Sequence, residues 1–232
     1  MPIINKMATS RILKNPAVQK VRFNEPSCID SPSEGMIIAR GAEAVINLEN
    51  NQIIKERIRK GYRLTQLDET LRKKRNRNEA SLLREARRAG VDVPQILDES
   101  EFSIKMEFIG GVKVKDAMNE NNAEELAEKI AASVAKLHNK GIVHGDLTTS
   151  NMIIKGNNIF FIDFGLGFFS QKAEDMATDL YLLHEALEST HFSVMEKAWK
   201  TILNAYKEGF SGADKVIKTL AEIEKRGRYR ER

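Results

Sequence analysis

Apolar residues come in short runs early in the chain and at helical spacing later. Met36-Ile37-Ile38-Ala39, Ala44-Val45-Ile46-Asn47-Leu48 and Gln52-Ile53-Ile54-Lys55 read as three antiparallel strands, the last two joined by a Glu49-Asn50-Asn51 turn. From about Thr65 to Ala89 the chain is rich in helix formers, sets Leu67, Leu71, Leu82 and Leu83 at apolar positions, and stops at Gly90. After Pro94 two more strands follow, Gln95-Ile96-Leu97 and Phe102 to Phe108, the second running into Ile109-Gly110-Gly111. Asn122 and Glu125 open a helix that repeats Leu126, Ile130, Val134 and Leu137 up to Gly141. Met152-Ile153-Ile154 and Ile159-Phe160-Phe161-Ile162 flank a Lys155-to-Asn158 turn and predict a hairpin. Three further helices are expected over 174–189, 192–208 and 213–226, with Trp199 packed in the core between them.

This order predicts an α+β chain in two parts: a small antiparallel sheet with one long helix over 34–109, and a mainly helical part over 110–224. Residues 1–33 hold four of the five prolines and no sustained period, and read as a loosely held extension. With 41% hydrophobic and 30% charged residues the composition is that of a globular protein with a real core. One cysteine, Cys28, excludes an internal disulfide and a cysteine-based zinc cluster, so a cytoplasmic location is expected. No segment approaches the roughly 20 apolar residues of a membrane span, and the opening residues do not resemble a signal peptide. The net charge of +4 is concentrated in residues 225–232, where five cations, one anion and Tyr229 suit the phosphate backbone of a nucleic acid. The internal basic block from Arg72 to Arg77 reads equally as a solvated face or as a binding surface.

The chemistry is concentrated in His144-Gly145-Asp146-Leu147-Thr148-Thr149-Ser150-Asn151, followed twelve residues later by Asp163-Phe164-Gly165. The pair reads as a phosphoryl-transfer site: Asp146 to orient or deprotonate an acceptor hydroxyl, Asn151 and Asp163 to supply the hard oxygens that magnesium prefers. The hairpin between them would set Asn151 beside Asp163, while His144 reads as a packed residue that holds the loop. Lys55, after two β-branched residues on a strand, suits a phosphate-binding lysine. Such a lysine needs an acidic partner on the long helix, for which Glu79 is the candidate ahead of Glu69 and Glu85. Arg40-Gly41-Ala42-Glu43-Ala44 lies between strands one and two, where Gly41, Ala42 and Glu43 would either cover phosphate or form an ordinary turn. Backbone groups of Glu107, Phe108 and Ile109 would hold adenine with Met106 behind it, making ATP the expected nucleotide; an ordinary strand end is the other reading.

With Lys55, Glu79, Asp146, Asn151 and Asp163 in order, the chain from about Met36 resembles the protein kinase superfamily. The finer resemblance is to the kinase subunit of the KEOPS complex, related to RIO kinases. It is carried by Gly41-Ala42-Glu43-Ala44, Lys60-Gly61-Tyr62-Arg63, Leu67-Asp68, Glu85 to Gly90, the complete HGDLTTSN, Ile162 to Gly167, Glu174-Asp175 and Asp179-Leu180-Tyr181. The resemblance implies a bilobal protein-kinase-like fold, binding of ATP and magnesium, phosphorylation of serine or threonine, ATP hydrolysis, and service to threonylcarbamoylation of tRNAs reading codons that begin with A. It also implies a threonylcarbamoyl-transferase subunit against the C-lobe, a small regulatory subunit on the N-lobe, and tRNA at the basic tail. Gly145 stands where protein kinases usually carry Arg, and Asp179 follows only sixteen positions after Asp163, so the C-lobe is expected to lack a full activation segment. A small-molecule kinase of the aminoglycoside or choline type, and a pseudokinase adaptor that recruits tRNA, are the competing readings.

Overall fold

The computed structural model describes residues 36–41 and 43–228, with side chains to Arg226. The expected extension over 1–33, Ala42 and the end of the tail from Tyr229 lie outside the described residues. Strands β1 (Met36–Arg40), β2 (Ala44–Glu49), β3 (Gln52–Arg57), β4 (Ile96–Glu99) and β5 (Ser103–Glu107) form an antiparallel sheet in the order β1-β2-β3-β5-β4. Asn50 and Asn51 both take positive φ (49° and 60°), the backbone of a two-residue turn whose twist matches its strands. Asparagine accepts that region better than most residues, which is why this Asn-Asn pair pins the β2–β3 register.

The helix α1 (Thr65–Arg88) crosses between β3 and β4. Its C-terminus is closed by a Schellman pattern, Val91 N–H to Ala86 O (3.1 Å) and Gly90 N–H to Arg87 O (3.0 Å), with Gly90 at φ +77°. Near its start the buried carboxylate of Asp68 accepts from Lys60 N–H (3.2 Å) and Arg72 Nε (2.7 Å), fixing how the chain enters the helix. Part of the basic block is engaged within the fold, while Lys74 and Arg77 are exposed. Arg72 also stacks over Phe102 (4.1 Å), Lys73 reaches Glu101 (2.8 Å), and Arg75 pairs with Glu43.

Past Gly111 come β6 (Val112–Lys113), the one-turn α2 (Val114–Ala117), α3 (Ala123–Asn139), β7 (Ile142–Val143), β8 (Met152–Lys155), β9 (Asn158–Phe161) and β10 (Phe168–Phe169). The helices α4 (Ala173–Thr190), α5 (Met195–Gly209) and α6 (Ala213–Arg228) complete the described chain. The strands β6, β8 and β9 form a small sheet, and β10 pairs with β7. Asn122 precedes α3, but its side chain makes no cap: Oδ1 accepts from Asn119 N–H (2.8 Å) and Nδ2 donates to Ala117 O (2.9 Å). A local turn has taken the side chain that the helix would have used. Trp199 is half-buried at the rim of the core, edge-on to His184 at 4.8 Å, rather than fully enclosed among the last helices.

One large apolar cluster unites α3 to α6 with Leu82, Leu83 and Ala86 of α1, while Ala80 belongs to a small cluster with Ile104 and Met106 under the sheet. Neighbouring residues of one helix therefore serve two cores, and Glu79 is held where they meet. Each buried Leu or Ile contributes about 1.5–3 kcal/mol through removal of its surface from water.

Candidate active site

Lys55 projects from the middle of β3, opposite Ile46 and Ile104, and is almost fully buried. Its Nζ lies 2.6 Å from Glu79 Oε1 and 2.7 Å from Asp163 Oδ1. Burial pushes the ammonium pKa down, but attraction to Glu79 and Asp163 outweighs this and raises it above the ordinary lysine value. Of the three candidate glutamates on α1 only Glu79 reaches Lys55; Glu85 pairs with Arg88 at the surface and Glu69 is exposed.

Asp163 is half exposed and takes φ +62°, a region that Asp and Asn enter more readily than other side chains. Its burial raises the carboxyl pKa, but the charge and hydrogen bond of Lys55 and a bond from Gly165 N–H (3.3 Å) prevail and hold it below the usual carboxylate range. It is an anion at neutral pH. The β8–β9 hairpin does bring the two ends together: Met152 faces Phe161, and Ile162 N–H donates to Asn151 O at 3.0 Å. Asn151 Nδ2 donates to Asp146 O (2.9 Å) and Oδ2 (2.8 Å), so its carbonyl oxygen remains as the ligand end. A carboxylate and an amide oxygen carried on neighbouring chain segments are the ligand types that suit a hard divalent cation such as magnesium.

The loop that carries Asp146 hangs from a buried acid with no role foreseen in the sequence. Asp179 of α4 accepts from His144 N–H (2.6 Å) and Gly145 N–H (2.8 Å). His144 is fully buried against Phe164, with ring centres 4.5 Å apart. Its Nε2 donates to Ile162 O (3.1 Å) and its Nδ1 accepts from Asp146 N–H (3.3 Å), the pattern of a neutral ring. Burial lowers its pKa despite the surrounding acids, so it holds the loop without carrying charge. Two more residues missed by the sequence analysis are Arg57, whose Nη2 lies 2.5 Å from Glu79 Oε2, and Asn78, which donates from α1 to Gly167 O at 2.7 Å.

At Gly145 the backbone has φ +78°, and an added Cβ would lie 2.3 Å from Leu166 O. An arginine cannot stand there without moving the segment after Asp163. That segment is short: eight residues, Gly165 to Lys172, span the path from the Asp163-Phe164 pair to α4, and β10 ties them to β7. We expect Gly145→Ala to cost about 1–3 kcal/mol from the unfavourable backbone region alone, with the clash adding to it, read as a lowered denaturant midpoint. An unchanged midpoint would show that the loop yields freely.

The two remaining groups are placed differently. Met106 is buried opposite Ile53 and Ile96, Glu107 N–H donates to Gln95 O (2.8 Å), Ile109 points inward, and Phe108 is half-buried. At the other end Gly41 N–H donates to Ala44 O (2.9 Å) in a tight turn. The Glu43 side chain is engaged with α1 and the loop before it. Its carboxylate is drawn to Arg75 and lies 3.9 Å from Arg63, so it serves the sheet–helix contact and leaves any covering to the backbone. Two guanidinium groups attract a carboxylate more strongly than an open loop facing phosphate would.

A family model described as a RIO domain covers residues 47–180. A probable serine/threonine-protein kinase BUD32 homolog of Archaeoglobus fulgidus is 40% identical over 200 residues, covering 85% of this chain and 98% of that one. The KEOPS complex subunit Bud32 of Pyrococcus abyssi is 41% identical over 214 residues, covering 84% and 97%. The chain belongs to the Bud32 family of RIO-domain serine/threonine kinases. A probable bifunctional tRNA threonylcarbamoyladenosine biosynthesis protein of Methanosarcina mazei is 38% identical over 226 residues; this Bud32-family chain spans 40% of its length. Among solved structures, the Rio2 kinase in its ADP/Mg2+-phosphoaspartate complex from Chaetomium thermophilum aligns with TM-score 0.56 at 17% identity, over 87% of this chain and 71% of that one. WaaP in complex with acyl carrier protein aligns with TM-score 0.62 at 13% identity, over 84% and 88%. At such identities the likeness concerns the fold, which is protein-kinase-like. Among the described residues no helix is long and apolar enough to cross a membrane.

Proposed function

We propose that this chain is the ATP- and magnesium-dependent kinase and ATPase of a KEOPS-type assembly, working in the cytoplasm for threonylcarbamoylation of tRNA. The observation that carries the chemistry is Lys55 held between Glu79 and Asp163, with Asn151 fastened to Asp146. Asp163 and Asn151 would hold magnesium, which supplies positive charge to phosphate oxygens. Lys55, released from Asp163, turns to the phosphates while Glu79 keeps its amine in place. Asp146 accepts the proton of an acceptor hydroxyl or orients water, with Asn151 Nδ2 fixing the carboxylate. Met106 backs the adenine pocket, backbone groups of Glu107 to Ile109 bond the base, and the Gly41 turn with Ala42 and Glu43 covers the phosphates through its backbone.

The names of the relatives support this reading over a small-molecule kinase or an adaptor. The eight-residue path from Asp163-Phe164 to α4 supports control by partners, because it offers neither a peptide platform nor a loop to be ordered by phosphorylation. We place a threonylcarbamoyl-transferase subunit against the helical part, a small regulatory subunit against the sheet part, and tRNA on residues 225–232.

Reconstituted with the transferase subunit, the chain is expected to release phosphate from ATP, and Asp146→Ala to lower that rate by on the order of a hundredfold or more. Unchanged turnover in Asp146→Ala would remove the assignment. Deleting residues 225–232 is the companion test, since equal tRNA affinities and equal salt slopes before and after deletion would remove the tail from the interface.

A further inference from the structure

Glu79 has two cationic partners, one on each carboxylate oxygen. Lys55 Nζ lies 2.6 Å from Oε1, and Arg57 Nη2 lies 2.5 Å from Oε2. Arg57 is two residues further along β3 and so on the same face of the strand. Its side chain is 3% exposed, more enclosed than that of Lys55 at 9%. The same nitrogen is 3.4 Å from Arg75 O, so Arg57 touches two successive turns of α1, at residues 75 and 79. Its main chain is also fixed, with N–H donating to Phe102 O (2.9 Å) and its carbonyl accepting from Arg72 Nη1 (3.4 Å). The head group borders the reacting end of the site: a Cβ added at Gly165 would lie 3.4 Å from Lys55 Nζ and 3.7 Å from Arg57 Nη2.

A buried cation that only balanced charge could sit anywhere near Glu79. The position of Arg57 does more, because it divides the carboxylate between a mobile cation and a fixed one. Lys55 is shared with Asp163 and, on the function proposed above, must turn toward phosphate. A helix held by Lys55 alone would loosen each time the lysine moved. We infer that Arg57 is a positioning residue that anchors α1 through Glu79 independently of Lys55, so that the helix stays docked whether or not nucleotide is bound. The catalytic part of this inference rests on the proposed phosphoryl transfer, whereas the anchoring part concerns the empty protein.

The two parts are separated by experiment. In the full chain without nucleotide, amide hydrogen exchange of α1 around residues 76–83 is measured in wild type, Lys55→Met, Arg57→Met and Arg57→Lys. Lys55→Met is expected to exchange within about threefold of wild type, and Arg57→Met at least about tenfold faster, with Arg57→Lys recovering most of the protection. Acceleration by Lys55→Met equal to that by Arg57→Met, or none in Arg57→Met, would overturn the inference. Should Arg57→Met not fold, Lys55→Met decides alone: protected amides support the anchor, and exposed ones refute it. In the reconstituted enzyme, Arg57→Met is expected to lower kcat about tenfold with KM for ATP changed less than about threefold, and Arg57→Lys to restore most of kcat. A rise in KM with kcat unchanged would instead place Arg57 in nucleotide binding and overturn its assignment as a positioning residue. Since exchange is read without nucleotide, its failure is distinct from absence of ATP turnover in wild type, which would fall on the proposed function.

Discussion

Asp163→Asn is expected to leave a folded protein that turns over ATP about a thousandfold more slowly, on the order of 4 kcal/mol of lost transition-state stabilisation. The choice of Asn isolates the charge. Position 163 has φ +62°, which Asn tolerates and Ala does not, so Asp163→Ala would mix backbone strain into the result. Asn has nearly the same shape and keeps one carbonyl oxygen, but it removes the anion that faces Lys55 at 2.7 Å and would face magnesium. The pH dependence carries a second signature. The pKa of Asp163 is lowered on folding, so its pairing contributes stability above the ordinary carboxylate range and loses it as pH falls through the lowered value. The Asn protein should therefore lose less stability on acidification than wild type. Turnover within about tenfold of wild type would count against Asp163 as a metal ligand.

Asp179→Ala should cost both stability and rate. His144 N–H and Gly145 N–H both donate to this buried carboxylate, and without it each is stranded at about 1–3 kcal/mol. The loop they belong to positions Asp146, where a displacement of about 1 Å can cost about a hundredfold in rate. Asp179→Asn should fall between, because one amide oxygen still accepts while its NH2 confronts the other donor. Chemical denaturation gives the stability, and phosphate release by the reconstituted enzyme gives the rate. A folded Asp179→Ala protein with wild-type turnover would mean that the loop is held by something else.

Features written in local pattern were legible in the sequence. The three N-terminal strands, the long helix and its stop at Gly90, and the hairpin linking Asn151 to Asp163 all follow from side-chain period and turn chemistry. The proximity of Lys55 to Glu79 was legible as well, through the phosphate-binding-lysine pattern that calls for an acidic partner on the helix and through the place of Glu79 one turn before Leu82 and Leu83. What escaped was settled by distant parts of the chain. Asp179 lies 34 residues from Gly145 and looks like any helical acid until α4 docks under the loop. Arg57 lies two residues past the strand read as ending at Lys55, and nothing local says that its guanidinium will be enclosed. The pairing of β7 with β10 joins two-residue strands too short to show a period. Glu43 and Asn122 were read by position, and in both cases a nearer partner took the side chain.

The placement of α1 in both apolar clusters has a consequence for how the molecule can be taken apart. Ala80 packs beneath the sheet, while Leu82, Leu83 and Ala86 pack among the helices, so a single rigid rod is shared property. Cut the chain after the sheet, and the helical piece loses a wall of its interior; cut before α1, and β1 to β3 lose both that floor and their partner strands β4 and β5. A grafting or split-protein design on this scaffold has no seam on either side of α1.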